Sequence, residues 1–226
     1  LSLPGVPSLN SRRTLFNRSA LISTNNLWKL KNGEFKAQID YSFNRVTASA
    51  ANITTYFLND GDRIVTEDRH GTEHSHSLSA KLIYEMNRKT AFINNTLKTN
   101  IDWNDIDIIA TGSLPNTQQA TLPDYYINND FKIIKRFKDK HLVTFKSTNE
   151  WESLPQTLTV QTAGGNRRQH VGEHAFYTNE SAAYAFVIKG ITLSLEAGIK
   201  GYLRSMDSRA GESPNSPNSV ESLNNI

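Results

Sequence analysis

Apolar and polar residues alternate along this chain in segments of about ten residues, and each segment ends at a polar turn. Two clear examples have their apolar positions at Phe35, Ala37, Ile39, Tyr41 and Phe43, and at Leu78, Ala80, Leu82, Tyr84 and Met86. Successive side chains of a strand point to opposite faces, so each segment predicts a strand with one apolar and one polar face. Strands of about ten residues are long enough to cross a bilayer when tilted. The pattern therefore predicts an all-β, antiparallel up-and-down meander that forms part of an outer-membrane β-barrel.

The order of these segments predicts about ten strands within residues 1–206, mostly as hairpins between chain neighbours. Asn32-Gly33 between two alternating runs is the strongest hairpin signal, because both residues tolerate a positive φ. At least half of residues 19–203 should be strand, with no helix longer than about two turns. The predicted strands cover residues 18–30, 35–46 with a continuation through 53–58, 63–68, 78–87, 90–103, 106–111, 125–137, 141–151, a strand that starts at 158–161, 182–189 and 191–203.

The connections between these strands differ in length and polarity. Residues 70–76 are predicted to form a polar segment, and residues 112–123 and 164–172 to form loops. Residues 207–226 are rich in Ser, Asn and Pro, which predicts a loop or disordered tail outside the sheet. Short turns at 31–34, 88–89 and 138–140 alternate with long polar connections at 112–124 and 162–179. Outer-membrane barrels have this asymmetry between their two rims.

Two sets of residues extend the barrel interpretation. Aromatic residues near predicted strand ends would form the girdles at the membrane interfaces. They are Trp28, Tyr56, Phe57, Trp103, Tyr125, Tyr126, Phe137 and Trp151. Polar residues that alternate with apolar neighbours would line the barrel lumen, whereas in a soluble sheet they would face water. They are Lys36, Gln38, Asp40, Lys81, Glu85, Asn87, Asn94, Lys98, Asn100, Asp102, Glu196 and Lys200.

Composition does not distinguish a membrane barrel from a soluble β-protein, although it excludes some kinds of partner and chemistry. The 226 residues are 37% hydrophobic, with a mean hydropathy of −0.51, which both a membrane barrel and a soluble β-protein can have. The 25 basic residues are scattered among 22 acidic ones, for a net charge of +3, so no basic block predicts a nucleic-acid partner. The absence of cysteine excludes disulfides and cysteine-ligated metals.

Several short segments follow one another in a familiar order: NRSALISTNNL at 17–27, DYSF at 40–43, TTYFL at 54–58, IVTED at 64–68, NNTL at 94–97 and LPQTL at 154–158. Together they resemble the barrel portion of TonB-dependent outer-membrane receptors, in the subset that carries a carboxypeptidase-type regulatory domain before its plug. The resemblance covers about residues 1–203.

That resemblance implies a 22-stranded barrel, closed by a plug domain, that imports a nutrient with energy delivered by TonB. It also implies location in the outer membrane of a Gram-negative bacterium, with outer-membrane lipid, the plug, TonB and a nutrient ligand as partners. The plug, the TonB-contacting segment and a terminal closing strand are not recognisable in these residues. We therefore expect a central piece of a barrel, which as a sheet alone is open and curved, with its first and last strands unpaired to each other.

Histidines offer the main hypothesis for a metal site. His74 and His76 would share one face of a strand, with His70 and Glu73 close by, and His170 and His174 are four residues apart. Zn²⁺ or Cu²⁺ binds imidazole but usually needs three or four ligands. Polar surface histidines without a metal are the expected alternative, so no metal or cofactor is predicted.

Other candidate chemistry is weaker still. Backbone N–H groups at 164–166 with Arg167 and Arg168 could hold an anion, although an exposed loop is the simpler interpretation. The carboxylates Glu67, Asp68, Asp105 and Asp107 are predicted to lie in turns. Glycosylation sequons occur at Asn17, Asn52, Asn94 and Asn179, as expected by chance in a chain rich in Asn, Ser and Thr. No hydrolase, phosphate-loop or metalloprotease motif is present, and we expect no enzyme.

Three functions thus compete on the sequence. The first is a fragment of an energy-coupled outer-membrane receptor. The second is a small self-contained barrel or porin of 8 to 12 strands, and the third is a soluble β-rich binding module. A pairing between a strand near Ala20 and one near Leu195 would favour the small closed barrel.

Overall fold

One antiparallel sheet contains every strand of the computed structural model, which describes residues 15–58, 61–137, 141–212 and 221–225. These residues contain no helix, so the predicted all-β meander and the strand content of residues 19–203 are confirmed. The strands are β1 (Leu15–Leu30), β2 (Gly33–Tyr56), β3 (Arg63–Arg88), β4 (Ala91–Gly112), β5 (Asn116–Thr121), β6 (Asp124–Phe137), β7 (His141–Thr162), β8 (Gly165–Ile188), β9 (Ile191–Glu212) and β10 (Glu221–Asn225).

β5 and β6 act as one strand. They pair with β4 in a single register and with β7 in a single register, and only Leu122 and Pro123 separate them. The shared register places Pro123 opposite Pro155 of β7. Because proline has no N–H, neither residue can donate a hydrogen bond to the other strand at this position. Leu122 N still donates to the Asn104 carbonyl oxygen at 2.7 Å. The described sheet is therefore eight long strands followed by β10.

Each long strand pairs with its neighbours in the chain, and no register shifts along its length. Among the described residues, β1 pairs only with β2, and β10 pairs only with β9. The expected open sheet is confirmed, because no pairing joins β1 to β9. β10 lies on the free edge of β9 and runs antiparallel to it, as the next strand of the meander would.

The two edges of the sheet differ in their connections. One edge, which we call the short-turn edge, has two-residue turns at 31–32, 89–90 and 189–190. The last of these has positive φ at Lys189 (48°) and Gly190 (82°), as a type I′ hairpin requires. The opposite edge has connections at 57–62 and 113–115, and a two-residue turn at 163–164. The predicted turn at 138–140 lies outside the described residues.

The predicted strands are too short, and several predicted loops are wrong. Residues 70–76 lie within β3, residues 116–121 form β5, and residues 165–172 begin β8, so neither long polar connection exists as predicted. The tail boundary at residue 207 is also wrong, because β9 continues to Glu212 and residues 221–225 pair with it. These segments have little contrast between their faces, and pairing with neighbouring strands holds them extended.

Gly112 provides a test of how tightly the hairpin after β4 is specified. Its φ is 113°, and a Cβ there would overlap the Thr66 carbonyl oxygen, which also accepts from Ser113 N at 3.0 Å. Gly112→Ala should lower the free energy of unfolding by about 2 kcal/mol or more. Gly164→Ala is the control, because its nearest neighbour, Thr162 Oγ1, is 3.8 Å from the added Cβ. Equal denaturation midpoints for the two variants would contradict this account.

Candidate functional site

The unbroken registers define two continuous faces of the sheet. Residues that pair across strands point to the same side, so the face of Leu82 also carries Ala37 and Leu97, and the face of Ile106 also carries Glu73 and Ala120. We call the face of Ile106 the inner face, because its side chains are the most buried, and the face of Leu82 the outer face. All twelve polar residues predicted to line the lumen lie on the inner face.

The outer face is apolar over the half of each strand next to the short-turn edge. We call this region the apolar belt. Its apolar members include Ile22, Ile39, Leu78, Leu82, Ile93, Leu97, Ile101, Ile127, Phe131, Ile133, Val143, Phe145, Leu193, Leu195, Ile199 and Leu203. Many are exposed, with 69% of Leu195, 70% of Ile199 and 72% of Leu203 accessible. Water would be an unfavourable solvent for so large an exposed apolar surface.

Aromatic rings form two rows on the outer face, one at each border of the apolar belt. The row near the short-turn edge has Trp28 against Phe35, with ring centroids 5.4 Å apart, and His141 stacked on Tyr184 at 5.8 Å. In the second row Phe43 lies against His76 at 5.0 Å. Trp103, Tyr125, Trp151 and Phe176 continue that second row. Phe35 and Phe43 are eight residues apart on β2, which is about 26 Å along a strand.

The predicted aromatic set agrees with these rows only in part. Trp28, Trp103, Tyr125, Phe137 and Trp151 lie on the outer face. Tyr56 and Tyr126 lie on the inner face, and Phe57 follows the end of β2. Proximity to a predicted strand end was the wrong criterion, since the strands extend well past it. Whether a residue has an odd or an even number along its strand determines which face it lies on, and this separates the two groups.

The inner face opposite the apolar belt is a hydrogen-bonded polar network. Lys98 Nζ lies 3.7 Å from Asp130 Oδ2, and Thr148 Oγ1 donates to Asp130 Oδ1 at 3.0 Å. Asn128 Nδ2 donates to Glu150 Oε1 at 3.1 Å. Three inner-face oxygens are nevertheless buried without a partner among the described residues: Asn44 Oδ1, Asp124 Oδ1 and Asn128 Oδ1. Buried polar atoms normally find a partner, so this face is suited to contact with water or a polar protein surface.

The polarity of both faces inverts beyond the second aromatic row. There the inner face of β4, β5 and β7 is apolar, with Ile106, Ile108, Ala110 and Ala120 all at most 5% exposed and Leu122 and Leu158 in the same cluster. The neighbouring β3 still carries Glu67, Arg69 and Glu73 on this face. On the outer face of the same segment, Asp105 and Asp107 are exposed and Ile109 is 52% exposed. The sequence contains a signal for this inversion, because the apolar residues of β4 are odd-numbered up to Trp103, apart from Phe92, and even-numbered from Ile106, apart from Ile109. The prediction of a separate short strand at residues 106–111 was wrong, and it obscured this change of parity within β4.

A polar patch interrupts the apolar belt where β4, β6, β7 and β8 pass. Glu180 Oε1 accepts hydrogen bonds from Ser147 Oγ at 2.7 Å, Asn149 Nδ2 at 3.2 Å and Thr178 Oγ1 at 3.2 Å. Asn129 Nδ2 donates to Asn95 Oδ1 at 2.9 Å. These internal bonds reduce the cost of placing polar groups on an apolar surface. No pattern in the sequence pointed to this patch.

The histidines do not converge on a metal. His74 and His76 share the outer face as predicted, and so do His70, His170 and His174. Three of the five have a hydroxyl neighbour: Tyr41 OH lies 2.7 Å from His76 Nδ1, Ser49 Oγ 2.8 Å from His70 Nδ1, and Thr157 Oγ1 3.1 Å from His170 Nδ1. In the part of the chain that the structure describes, no group of three or more His, Asp or Glu side chains could hold a metal ion.

The candidate anion loop does not assemble either. Residues 165–168 belong to β8, where Arg167 lies on the inner face and Arg168 on the outer face, so the two guanidinium groups point apart. Asp105 and Asp107 lie within β4, and Glu67 and Asp68 within β3, rather than in turns. Asn17, Asn52, Asn94 and Asn179 all lie in strands.

Charged groups also cluster on the inner face at the level of the second aromatic row. Asp124 lies directly opposite Asp102. Burial raises the pKa of Asp124, and the Asp102 carboxylate raises it further. Nearby, Arg204 Nε donates to Glu173 Oε1 at 2.7 Å, which raises the pKa of Arg204. The inner face thus carries both signs of charge at this level.

The chain exposes far more surface than a compact globular protein of its size. Its accessible surface is 16014 Å², against about 10,000 Å² expected for 25.4 kDa. Among the described residues no large side chain is fully buried. Neither a protein-family model nor a curated protein matches the sequence. None of the described segments is a helix long and apolar enough to span a membrane.

Substitutions at Ile108 and Ile109 test the polarity inversion, because these two isoleucines are adjacent in the chain but lie on opposite faces of the sheet. Ile108 is 4% exposed on the inner face, whereas Ile109 is 52% exposed on the outer face. Ile108→Ala should lower the free energy of unfolding by about 2–4 kcal/mol through lost burial and a cavity. Ile109→Ala should lower it by about 0.5 kcal/mol or less. Denaturant titration of both variants measures the difference, and similar losses would contradict an inner apolar core in this half of the sheet.

Proposed function

We propose that this chain forms a wall segment of an outer-membrane β-barrel, within a TonB-dependent receptor that takes up a nutrient. The observation that carries the proposal is the apolar belt on the outer face, bordered by aromatic rows and backed by a polar inner face. A membrane barrel has this distribution, because lipid surrounds its exterior and water or a plug fills its interior. At the strand tilt of about 35–45° in such barrels, the stretch of about 26 Å along the strand spans about 20 Å of membrane thickness, somewhat less than their apolar band of about 25 Å.

Strand length and turn length suggest an orientation in the membrane. The long strands have 22 to 26 residues, apart from β1, whereas about ten residues cross the bilayer. The short-turn edge borders the apolar belt, so it would face the periplasm. The opposite halves of the strands, with a polar outer face, would extend into the external water. The polarity inversion then marks the upper boundary of the membrane.

The receptor part of the proposal rests on the sequence resemblance and on the inner face. A plug domain inside the barrel needs a polar wall that can hydrogen-bond to it. The inner-face network around Asp130 and Glu150 offers such a wall. Energy coupling through TonB and uptake of a nutrient follow from the resemblance to TonB-dependent receptors.

A small closed barrel is the second candidate, and one observation favours it. The eight long strands are even in number, so β1 and β9 run antiparallel and could pair. The described sheet instead leaves them unpaired and places β10 on the free edge of β9. This arrangement favours a wall that continues into further strands. A soluble binding module is disfavoured by the exposed apolar belt.

The absence of cysteine allows a direct test of which face meets lipid. Ile39→Cys and Gln38→Cys place single labels on adjacent residues of opposite faces. With the full chain inserted in phosphatidylcholine vesicles, a fluorophore at position 39 should be quenched by brominated acyl chains, and one at position 38 by aqueous iodide. Failure of the chain to enter vesicles, or identical quenching at both positions, would overturn the proposal.

Stability in lipid gives an independent prediction. Leu82 lies near the middle of the apolar belt, and Lys81 lies beside it on the inner face. Leu82→Arg should lower the free energy of unfolding by about 2–4 kcal/mol in vesicles, because a charge would enter hydrocarbon. Lys81→Gln is the control and should cost about 0.5 kcal/mol or less. Equal sensitivity at both positions would count against a lipid-facing belt.

A further inference from the structure

Three basic side chains lie side by side on the outer face, just beyond the second aromatic row. Arg18 of β1 pairs with Arg45 of β2, and Arg45 pairs with His74 of β3. Directly opposed residues have Cβ atoms about 5 Å apart, so the three side chains reach a common area. Both arginines are exposed and His74 is half-buried. We call these three residues the basic row.

The two arginines of the basic row have no carboxylate partner in the part of the chain that the structure describes. Among the described residues, neither Arg18 nor Arg45 forms an ion pair, although Lys36, Arg69, Lys98, Lys146, Arg204 and Arg209 each have a carboxylate partner. The acid closest in register is Asp105, which lies opposite His74 on the side away from Arg45. Like charges directly opposite each other destabilise a sheet. An external anion between the two guanidinium groups would relieve that repulsion.

The position of the basic row identifies the kind of anion. The next outer-face residues toward the apolar belt are Ala20, Phe43 and His76. If the belt lies in lipid, as proposed above, the basic row stands at the level of the lipid headgroups in the external leaflet. We propose that Arg18, Arg45 and His74 bind the phosphate of an anionic lipid whose acyl chains lie along the apolar belt.

A lipid phosphate fits this surface better than free phosphate does. The three side chains project from an open strand surface, where an ion pair with a small anion is worth little in water. Acyl chains on the neighbouring apolar residues would add the hydrophobic contact that holds the phosphate in place. Arginine adds planar, paired donors that match phosphate oxygens.

The test measures lipid binding to the full chain in zwitterionic detergent micelles by native mass spectrometry. The probes are bisphosphorylated lipid A, the same lipid with both phosphates removed, and inorganic phosphate. Arg18→Gln/Arg45→Gln should weaken binding of the bisphosphorylated lipid by about fivefold for each arginine removed. Arg88→Gln/Arg168→Gln is the matched control, because it removes two charges from the same face away from the basic row. Arg45→Lys keeps the charge and should bind more tightly than Arg45→Gln.

The outcomes separate this proposal from the proposed function. Equal loss in the control pair, or binding that does not depend on the lipid phosphates, would overturn the lipid site while leaving the quenching result at position 39 intact. Inorganic phosphate binding as tightly as the lipid would show a free-anion site instead and would also overturn it. If the chain does not enter vesicles at all, the proposed membrane function is overturned, and the lipid site that rests on it is overturned as well.

Discussion

Uninterrupted pairing register is the constraint on which the rest of this structure depends. Each long strand meets its chain neighbour without a bulge, from the pairing of Leu15 with Ala48 to that of Arg167 with Glu212. A shift of one residue would send every side chain of a strand to the other face. Because no shift occurs, the alternation within single strands adds up to two faces that run across the whole sheet.

Within that frame, the half of the fold beside the short-turn edge was predictable from sequence. In residues 35–43 and 78–86 apolar side chains alternate with polar ones, with Ile83 as the single exception, and this contrast fixes both the strand and its face. Residues 70–76 have polar or small residues at every position, so periodicity carries no information there. Only pairing with Ala48 and Ile106 on the neighbouring strands explains why β3 continues through them.

The features of the candidate site were likewise predictable only where they depend on alternation within a single strand. The polar residues from Lys36 to Lys200 share one face of the sheet, as predicted, because parity alone determines the face. That this face lines a lumen stays a prediction. The Glu180 patch and the basic row were not predictable, since each depends on which residues of different strands become neighbours. Arg18 and Arg45 are 27 positions apart in the chain, and only the register makes them adjacent. A pattern within one strand cannot reveal such a pair.

The inversion of polarity also bears on how the sheet is stabilised. In water, the segment around Ile106 and Ile108 has the ordinary arrangement, with apolar residues inward and Asp105 outward. Beside the short-turn edge the arrangement is reversed, so that part gains little from burial unless lipid covers Leu195 and its neighbours. In the proposed membrane arrangement one sheet would meet two solvents, and the second aromatic row would lie where they change. Charges at that border would face headgroups rather than hydrocarbon, so two arginines without an ion-pair partner among the described residues would be tolerable there and costly only a few residues deeper.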